Sequence, residues 1–400
     1  MDEEIRSFIK VWIIAITSLC YCYYISSRIP KGIRRLISLL PFFYIFIILP
    51  LDLHSLHLGG PTAFFLVWLG LSKLLLFSFD QAPLSPLPTN LFHFISIACL
   101  PIKIIQNPPP KSPPKVENLM TKESTNKIPH AQKSTPTVEK PNITKSTKNP
   151  SDQKWEKPML LNPQTSVPKV GSKVPRSILM AIKVILLALI VKAYEYRPYL
   201  PSYITLLLYC CHMYLGIEIT LALAALPAQT LLGFELEPQF NEPYLTTSLQ
   251  DFWGRRWNLM VSSILKPTAF HPVRSLFSPI IGPKWAHLAG VLWAFTVSGL
   301  MHEAMYYYFT RARPTWEVTI FFVLQGVCTA VEMAVKRVVG EKWRLSGAVS
   351  GGLALGFLVV TGNWLFFPQL LRNGVHEKTI KEYAIMVDFI KQIVRLCGWP

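Results

Sequence analysis

The sequence predicts an all-α protein that crosses a membrane about eight times, with one long polar loop between two sets of spans. Three observations carry that prediction. The 400 residues are 51% hydrophobic and only 16% charged, too apolar for a water-soluble domain of this length. Apolar runs approaching the ~20 residues needed to cross the hydrocarbon core recur from end to end. Between 107 and 176 the character changes: Pro, Lys, Ser, Thr and Asn dominate, so this stretch buries too little apolar surface to offset its ordering entropy. We expect residues 1–400 to form a single membrane domain, interrupted by a disordered loop at 107–176.

The first span covers about residues 8–27, and its acidic flank (Asp2, Glu3, Glu4) argues for an uncleaved span rather than a signal peptide. Arg28, Lys31, Arg34 and Arg35 follow, which places that loop in the cytosol by the positive-inside rule. Span two is Leu36 to Leu51, interrupted by Pro41, and a lumenal turn leads to span three, Pro61 to Phe79. Leu91 to Ile105 is apolar but short, and suits a re-entrant or interfacial segment. After the polar loop, spans run from Ser177 to Tyr194 and from Tyr199 to Leu226, the latter with His212 and Glu218 on different faces. Asp251 to Pro283 reads as interfacial, with Trp253 and Trp257 stacked at i,i+4. A span between Trp285 and Phe309 carries His302, then come Trp316 to Val335 and Leu345 to Leu371. Lys378 to Trp399 is amphipathic and fits the membrane surface.

A net charge of +17 without a basic helix or an aromatic RNA-binding signature excludes a nucleic-acid partner. The charges gather in loops, where they set topology and attract anionic lipids. Seven Cys, mostly inside apolar runs, read as small buried hydrophobes rather than metal ligands or a disulfide framework. His54 and His57 stand at i,i+3, but no further His-rich pair exists to complete a metal site. Cys210-Cys211-His212 is a core-packing run, since apolar burial makes a thiol inert. His376-Glu377 reads as a solvated pair beyond the last span.

His302, with Glu303 beside it, stands in a helix otherwise almost free of ionisable groups, and burying such groups in lipid is costly. A neutral imidazole there can act as general base on an alcohol in a site that excludes water, with Ser298 and Gly299 one turn back leaving room for substrate. The same residue can equally be a packing histidine held by a neighbouring carbonyl. Asn258 ends the run Asp251-Phe252-Trp253-Gly254-Arg255-Arg256-Trp257-Asn258, and its amide can orient a hydroxyl or bond an oxyanion. Trp253, Arg255, Arg256 and Trp257 are substrate-binding candidates, the arginines for the phosphates of a coenzyme; the alternative is an interfacial anchor.

The run 248–258, followed 302 − 258 = 44 residues later by an intramembrane His, resembles the paired motif of membrane-bound O-acyltransferases. Leu56-His57-Leu58-Gly59-Gly60-Pro61-Thr62-Ala63-Phe64-Phe65-Leu66-Val67-Trp68-Leu69, with Lys73-Leu74-Leu75-Leu76-Phe77, is similar to the plant wax synthase branch. The similarity runs over nearly the whole chain outside 107–176. It implies transfer of a fatty acyl group from acyl-CoA to a long-chain alcohol in the endoplasmic reticulum membrane, with His302 catalytic and Asn258 supporting it. Acyl-CoA is then a co-substrate, and no bound cofactor or metal is implied. The branch also includes sterol acyltransferases and diacylglycerol acetyltransferases. The rival class is a lipid or proton-coupled transporter using His302 and Glu303 as a relay, yet residues 1–106 and 177–400 show no internal repeat. A structural scaffold would require neither Asn258 nor His302.

Overall fold

The computed structural model describes residues 2–105, 175–339 and 345–396. The segment 107–176, expected to be disordered, lies outside them except for its last two residues. The chain up to Ile105 and from Met180 onward forms one compact unit; of the second unit, Gln106–Leu179, only the start of a helix is described.

Among the described residues, eight helical stretches are long and apolar enough to cross a membrane. α3 (Leu56–Ser78) is the central one: 72% of its apolar window is buried, against 6% for Ser177–Tyr199. α1 (Asp2–Tyr24) and α2 (Ile33–Ile48) pack on it through Leu19, Leu39, Phe46, Leu66 and Leu74, all fully buried. Arg35, read from sequence only as a topology signal, is itself buried, donating to the carbonyls of Ile29 (2.9 Å) and Phe77 (3.0 Å) and so bolting the first loop onto the end of α3.

The expected re-entrant segment is α4 (Leu91–Cys99), too short to cross. Asn90 caps its start by accepting the Phe92 N–H at 2.8 Å. Its other end is held by Lys73 of α3, fully buried, whose Nζ donates to the carbonyls of Ile97 (2.6 Å) and Leu100 (2.7 Å). Those carbonyls sit at the helix's negative pole, the Leu100 one also accepting the Ile102 N–H at 2.8 Å, and together they replace the ammonium's water. Beyond α4 the chain makes an isolated antiparallel bridge, Ile104 to Leu236, reinforced by Lys103 and Glu237 at 2.6 Å.

α5 (Arg176–Ala193) and α6 (Ser202–Thr230) follow. Glu218 and His212 do lie on different faces of α6: Glu218 pairs with Lys183 of α5, and His212 bridges Tyr194 (3.1 Å) and Tyr383 (3.2 Å).

The stretch read as interfacial, Asp251 to Pro283, is largely one arm of a helical hairpin. It contains α7 (Leu259–Leu265), a wide turn at Lys266–Phe270 and the start of α8 (His271–Thr310). α8 breaks at Gly282 (φ 80°, ψ 158°), a conformation that needs glycine, with Pro283 next. Val261 and Leu265 pack with Met301 and Met305, and the Phe270 ring lies 5.1 Å from His287, so residues before Gly282 run back along those after it.

α9 (Glu317–Val339) packs closely on α8. Added at Gly299, a Cβ would stand 2.9 Å from Thr319 Cα; added at Gly326, 2.8 Å from Phe295 Cβ. Gly299 therefore lets two helices touch, rather than leaving the room for substrate expected there. α10 (Gly347–Thr361) and α11 (Val375–Leu396) complete the chain. α11 is docked at its start: Glu382 accepts the backbone N–H of Leu56 (2.7 Å) and His57 (3.0 Å), the Ser55 hydroxyl (2.9 Å) and His57 Nδ1 (2.7 Å). Past that point Ile385, Met386 and Phe389 are exposed.

Candidate active site

Helix geometry sets the ring of His302. Its Nδ1 donates to the Ser298 carbonyl one turn back, at 2.7 Å. A carbonyl only accepts, so the proton is on Nδ1 and Nε2 keeps its lone pair. Among the described residues no group hydrogen-bonds to Nε2. Phe322 stacks on the ring at 4.1 Å and 29°, Trp68 meets it edge-on at 4.9 Å and 86°, and Phe366 lies at 5.9 Å. The half-buried imidazole thus sits in an aromatic cage with one basic nitrogen open. Glu303 turns away: it is buried, and its carboxylate faces the Thr319 N–H and hydroxyl, both at 3.4 Å, in the first turn of α9. The two members of the supposed relay serve different neighbours.

The Trp-rich run is wound as a π-turn, Phe252–Arg256, closed by the Trp257 N–H donating to the Phe252 carbonyl at 2.9 Å. An i→i+5 turn puts residues five apart over one another. The stacked pair is therefore Phe252 and Trp257 (5.2 Å, 20°), whereas Trp253 and Trp257, expected to stack, meet edge-on at 6.4 Å and 73°. Trp253 joins the cage from outside, 5.8 Å from Phe322, and its indole N–H donates to Gln325 at 3.4 Å. Gln325 is fully buried and donates in turn to Thr361 at 2.9 Å. Trp257 faces the other way, against Phe240 (5.2 Å) and Tyr214 (6.1 Å).

Arg255 is exposed, but Arg256 is engaged: it pairs with Asp251 at 2.6 Å and donates to the carbonyls of Asn241 and Glu242. Burial pushes the Asp251 carboxyl up, yet the Arg256 guanidinium and the Thr247 N–H outweigh it and hold the group below the usual carboxylate range. Asn258 is left-handed (φ 34°, ψ 70°) and caps α7, its Oδ1 accepting the Val261 N–H at 3.2 Å. Asn tolerates that conformation better than most residues, and its Nδ2 has no partner among the described residues. No hydrogen bond joins Asn258 to His302; they are linked by packing, since Val261 shares a cluster with Trp68, Met301 and Met305. Ser298 contributes its carbonyl to the site.

Phe322 and Phe366 carry no signal in one sequence, because an aromatic in an apolar helix reads as core; Trp68 lies within the run that resembles the wax synthases, and Gln325 behind the cage has the signal of a polar group in an apolar run. His57 is tied to Glu382, and among the described residues no three His, Cys, Asp or Glu come together to hold a metal. His376, expected to be solvated, has a side chain only 14% exposed, and its Nε2 accepts from Arg197 at 2.9 Å.

A model of the membrane bound O-acyl transferase family matches residues 236–324, the stretch holding the π-turn, Asn258 and His302. The chain is 46% identical to a long-chain-alcohol O-fatty-acyltransferase of Simmondsia chinensis, covering 100% of this chain and 99% of that one. It is 45% identical to a probable long-chain-alcohol O-fatty-acyltransferase of Arabidopsis thaliana, over 98% of both chains. An acyl-CoA–sterol O-acyltransferase of Arabidopsis thaliana is 40% identical over 97% of both. The chain belongs to the membrane-bound O-acyltransferase family, within its plant long-chain-alcohol O-fatty-acyltransferase branch.

Proposed function

We propose that this protein transfers a fatty acyl group from acyl-CoA to a long-chain alcohol, forming a wax ester and free CoA, as a single domain of the endoplasmic reticulum membrane. The observation that carries the reading is the open Nε2 of His302, whose other nitrogen is committed to the Ser298 carbonyl. Nε2 takes the hydroxyl proton as the alcohol oxygen attacks the thioester carbonyl; the C–S bond then breaks, and the imidazolium returns the proton to the CoA thiolate. The cage of Trp68, Phe322 and Phe366 keeps bulk water from competing. Asn258 Nδ2 orients the hydroxyl or bonds the developing oxyanion. Trp253 and Trp257 flank the substrates, Arg255 meets the phosphates of CoA, and Arg256 acts by holding the loop to Asp251.

No hydroxyl or thiol among the described residues hydrogen-bonds to the His302 ring, so transfer is direct rather than through an acyl-enzyme. The test is purified full-length protein with acyl-CoA and a panel of fatty alcohols, a sterol and diacylglycerol. Wax ester with sequential kinetics is expected. Steryl ester or acylated glyceride alone overturns the acceptor, and a labelled acyl-enzyme formed without alcohol overturns the direct step.

A further inference from the structure

Between α5 and α6, near the middle of α6, stands an ion pair that acyl transfer at His302 does not use: Lys183 bonded to Glu218, both mostly buried. Placing both charges inside a membrane-spanning region is costly, and an apolar pair of the same size would join two helices as well. The surroundings set it apart from a packing device. Tyr214, one turn before Glu218 on the same face of α6, lies under the Lys183 ammonium at 5.9 Å. The Tyr214 hydroxyl faces the Glu218 carboxylate, yet that hydroxyl and Glu218 Oε2 are both buried without a well-formed hydrogen bond. A buried donor and a buried acceptor that face each other without a good bond leave a place for a small polar group that both accepts and donates.

The cluster borders both lipid and the active-site motif. On α5 only Lys183, Leu187 and Ile190 of residues 181–190 turn inward, while Ile182, Val184, Ile185, Leu186 and Leu189 are exposed. On the inner side the Tyr214 ring packs against Trp257, the residue before Asn258. We propose that Lys183, Glu218 and Tyr214 form an intramembrane binding station for the hydroxyl of the long-chain alcohol, between the bilayer and the Trp257–Asn258 corner. The hydroxyl donates to Glu218 Oε2 and accepts from Tyr214, Lys183 holds Glu218 by Oε1, and the alkyl chain stays against the apolar flank of α5. This rests on the reading that the acceptor is such an alcohol.

The test compares wild type, Tyr214→Phe and Glu218→Gln as full-length protein, with hexadecanol and palmitoyl-CoA as substrates and a photoreactive long-chain alcohol as probe. Loss of one hydrogen bond to the hydroxyl is expected to raise the KM for hexadecanol about tenfold in each variant, with the KM for palmitoyl-CoA within about twofold of wild type. Photolabelling of α5 and α6 falls in parallel. Tyr214→Phe melts within a degree or so of wild type, because the hydroxyl it removes makes no well-formed hydrogen bond in the protein. An unchanged KM for hexadecanol with undiminished labelling overturns the station. So does a joint rise of both KM values with a lower melting temperature, which marks the pair as helix packing alone. If wild type is labelled at α5 and α6 but forms no ester, the station stands and the acyltransferase reading falls.

Discussion

At the scale of single residues, His302 and Asn258 differ in what they do for the fold. The His302 side chain makes one hydrogen bond, to a carbonyl of its own helix. His302→Ala is therefore expected to fold, bind acyl-CoA and lose ester formation by roughly 10²–10⁴-fold, read by turnover beside an acyl-CoA binding assay. Asn258 carries a cap and a left-handed backbone, so Asn258→Ala mixes a stability loss of about 1 kcal/mol with any chemical effect. Asn258→Asp narrows the question: it keeps the accepting oxygen and the backbone preference and puts a charged acceptor in place of the Nδ2 donor. Near-normal melting with turnover down about 10²-fold is the expected result; full activity would leave Asn258 as a cap. The sequence displayed these two residues because a polar group in an apolar run is conspicuous. It hid Phe322 and Phe366, since their significance lies in the direction they face.

At the scale of elements, the close contact of α8 with α9 fixes the Phe322 wall of the cage. Gly299→Ala would push a Cβ into the Thr319 backbone, which has nowhere to yield. A loss of about 1–3 kcal/mol is expected, seen as a lower melting temperature with impaired turnover. The docking of α11 makes a pH-dependent case. Burial pushes Glu382 up, but His57 and the N–H groups of Leu56 and His57, with the Ser55 hydroxyl, outweigh it and hold its carboxyl down to about 2, against an ordinary value of 4.5. A depressed folded pKa contributes stability that is complete above the ordinary value and lost as pH falls from about 4.5 through about 2. Amide exchange in α11 should rise across that window, and Glu382→Ala should show the same exchange at neutral pH. Apolar run length revealed the spans, but not this docking, which depends on one carboxylate meeting a helix N-terminus far away in the chain. The hairpin at Gly282 stayed hidden for a related reason: it rests on contacts between distant positions, such as Val261 with Met305, in a stretch that reads as interfacial.

At the scale of the whole molecule, the composition of 107–176 separates that stretch from every helix of the site. Replacing it with a short Gly/Ser linker should leave ester formation within about twofold of wild type, because a stretch of this composition carries too little apolar surface to supply part of a packed site. A folded, inserted but inactive protein would show that the stretch contributes to catalysis. The division into two sets of spans was plain in the sequence, whereas their connection was not. Ile104 with Leu236 and Lys103 with Glu237 are pairings between residues that local patterns cannot relate.

The bridge at Ile104 also bears on how the protein can be made. The chain on either side of 107–176 meets directly through Ile104 and Leu236, through Lys103 and Glu237, and through Gln239 donating to the Pro101 carbonyl. Covalent continuity through the polar stretch is then a convenience of synthesis. Two polypeptides, one ending and the other beginning within that stretch, should find each other in the same bilayer when co-expressed and restore a working whole. Each fragment alone should be inert, since the cage around His302 takes Trp68 from the first, so ester formation becomes a reporter of whether two membrane segments have met.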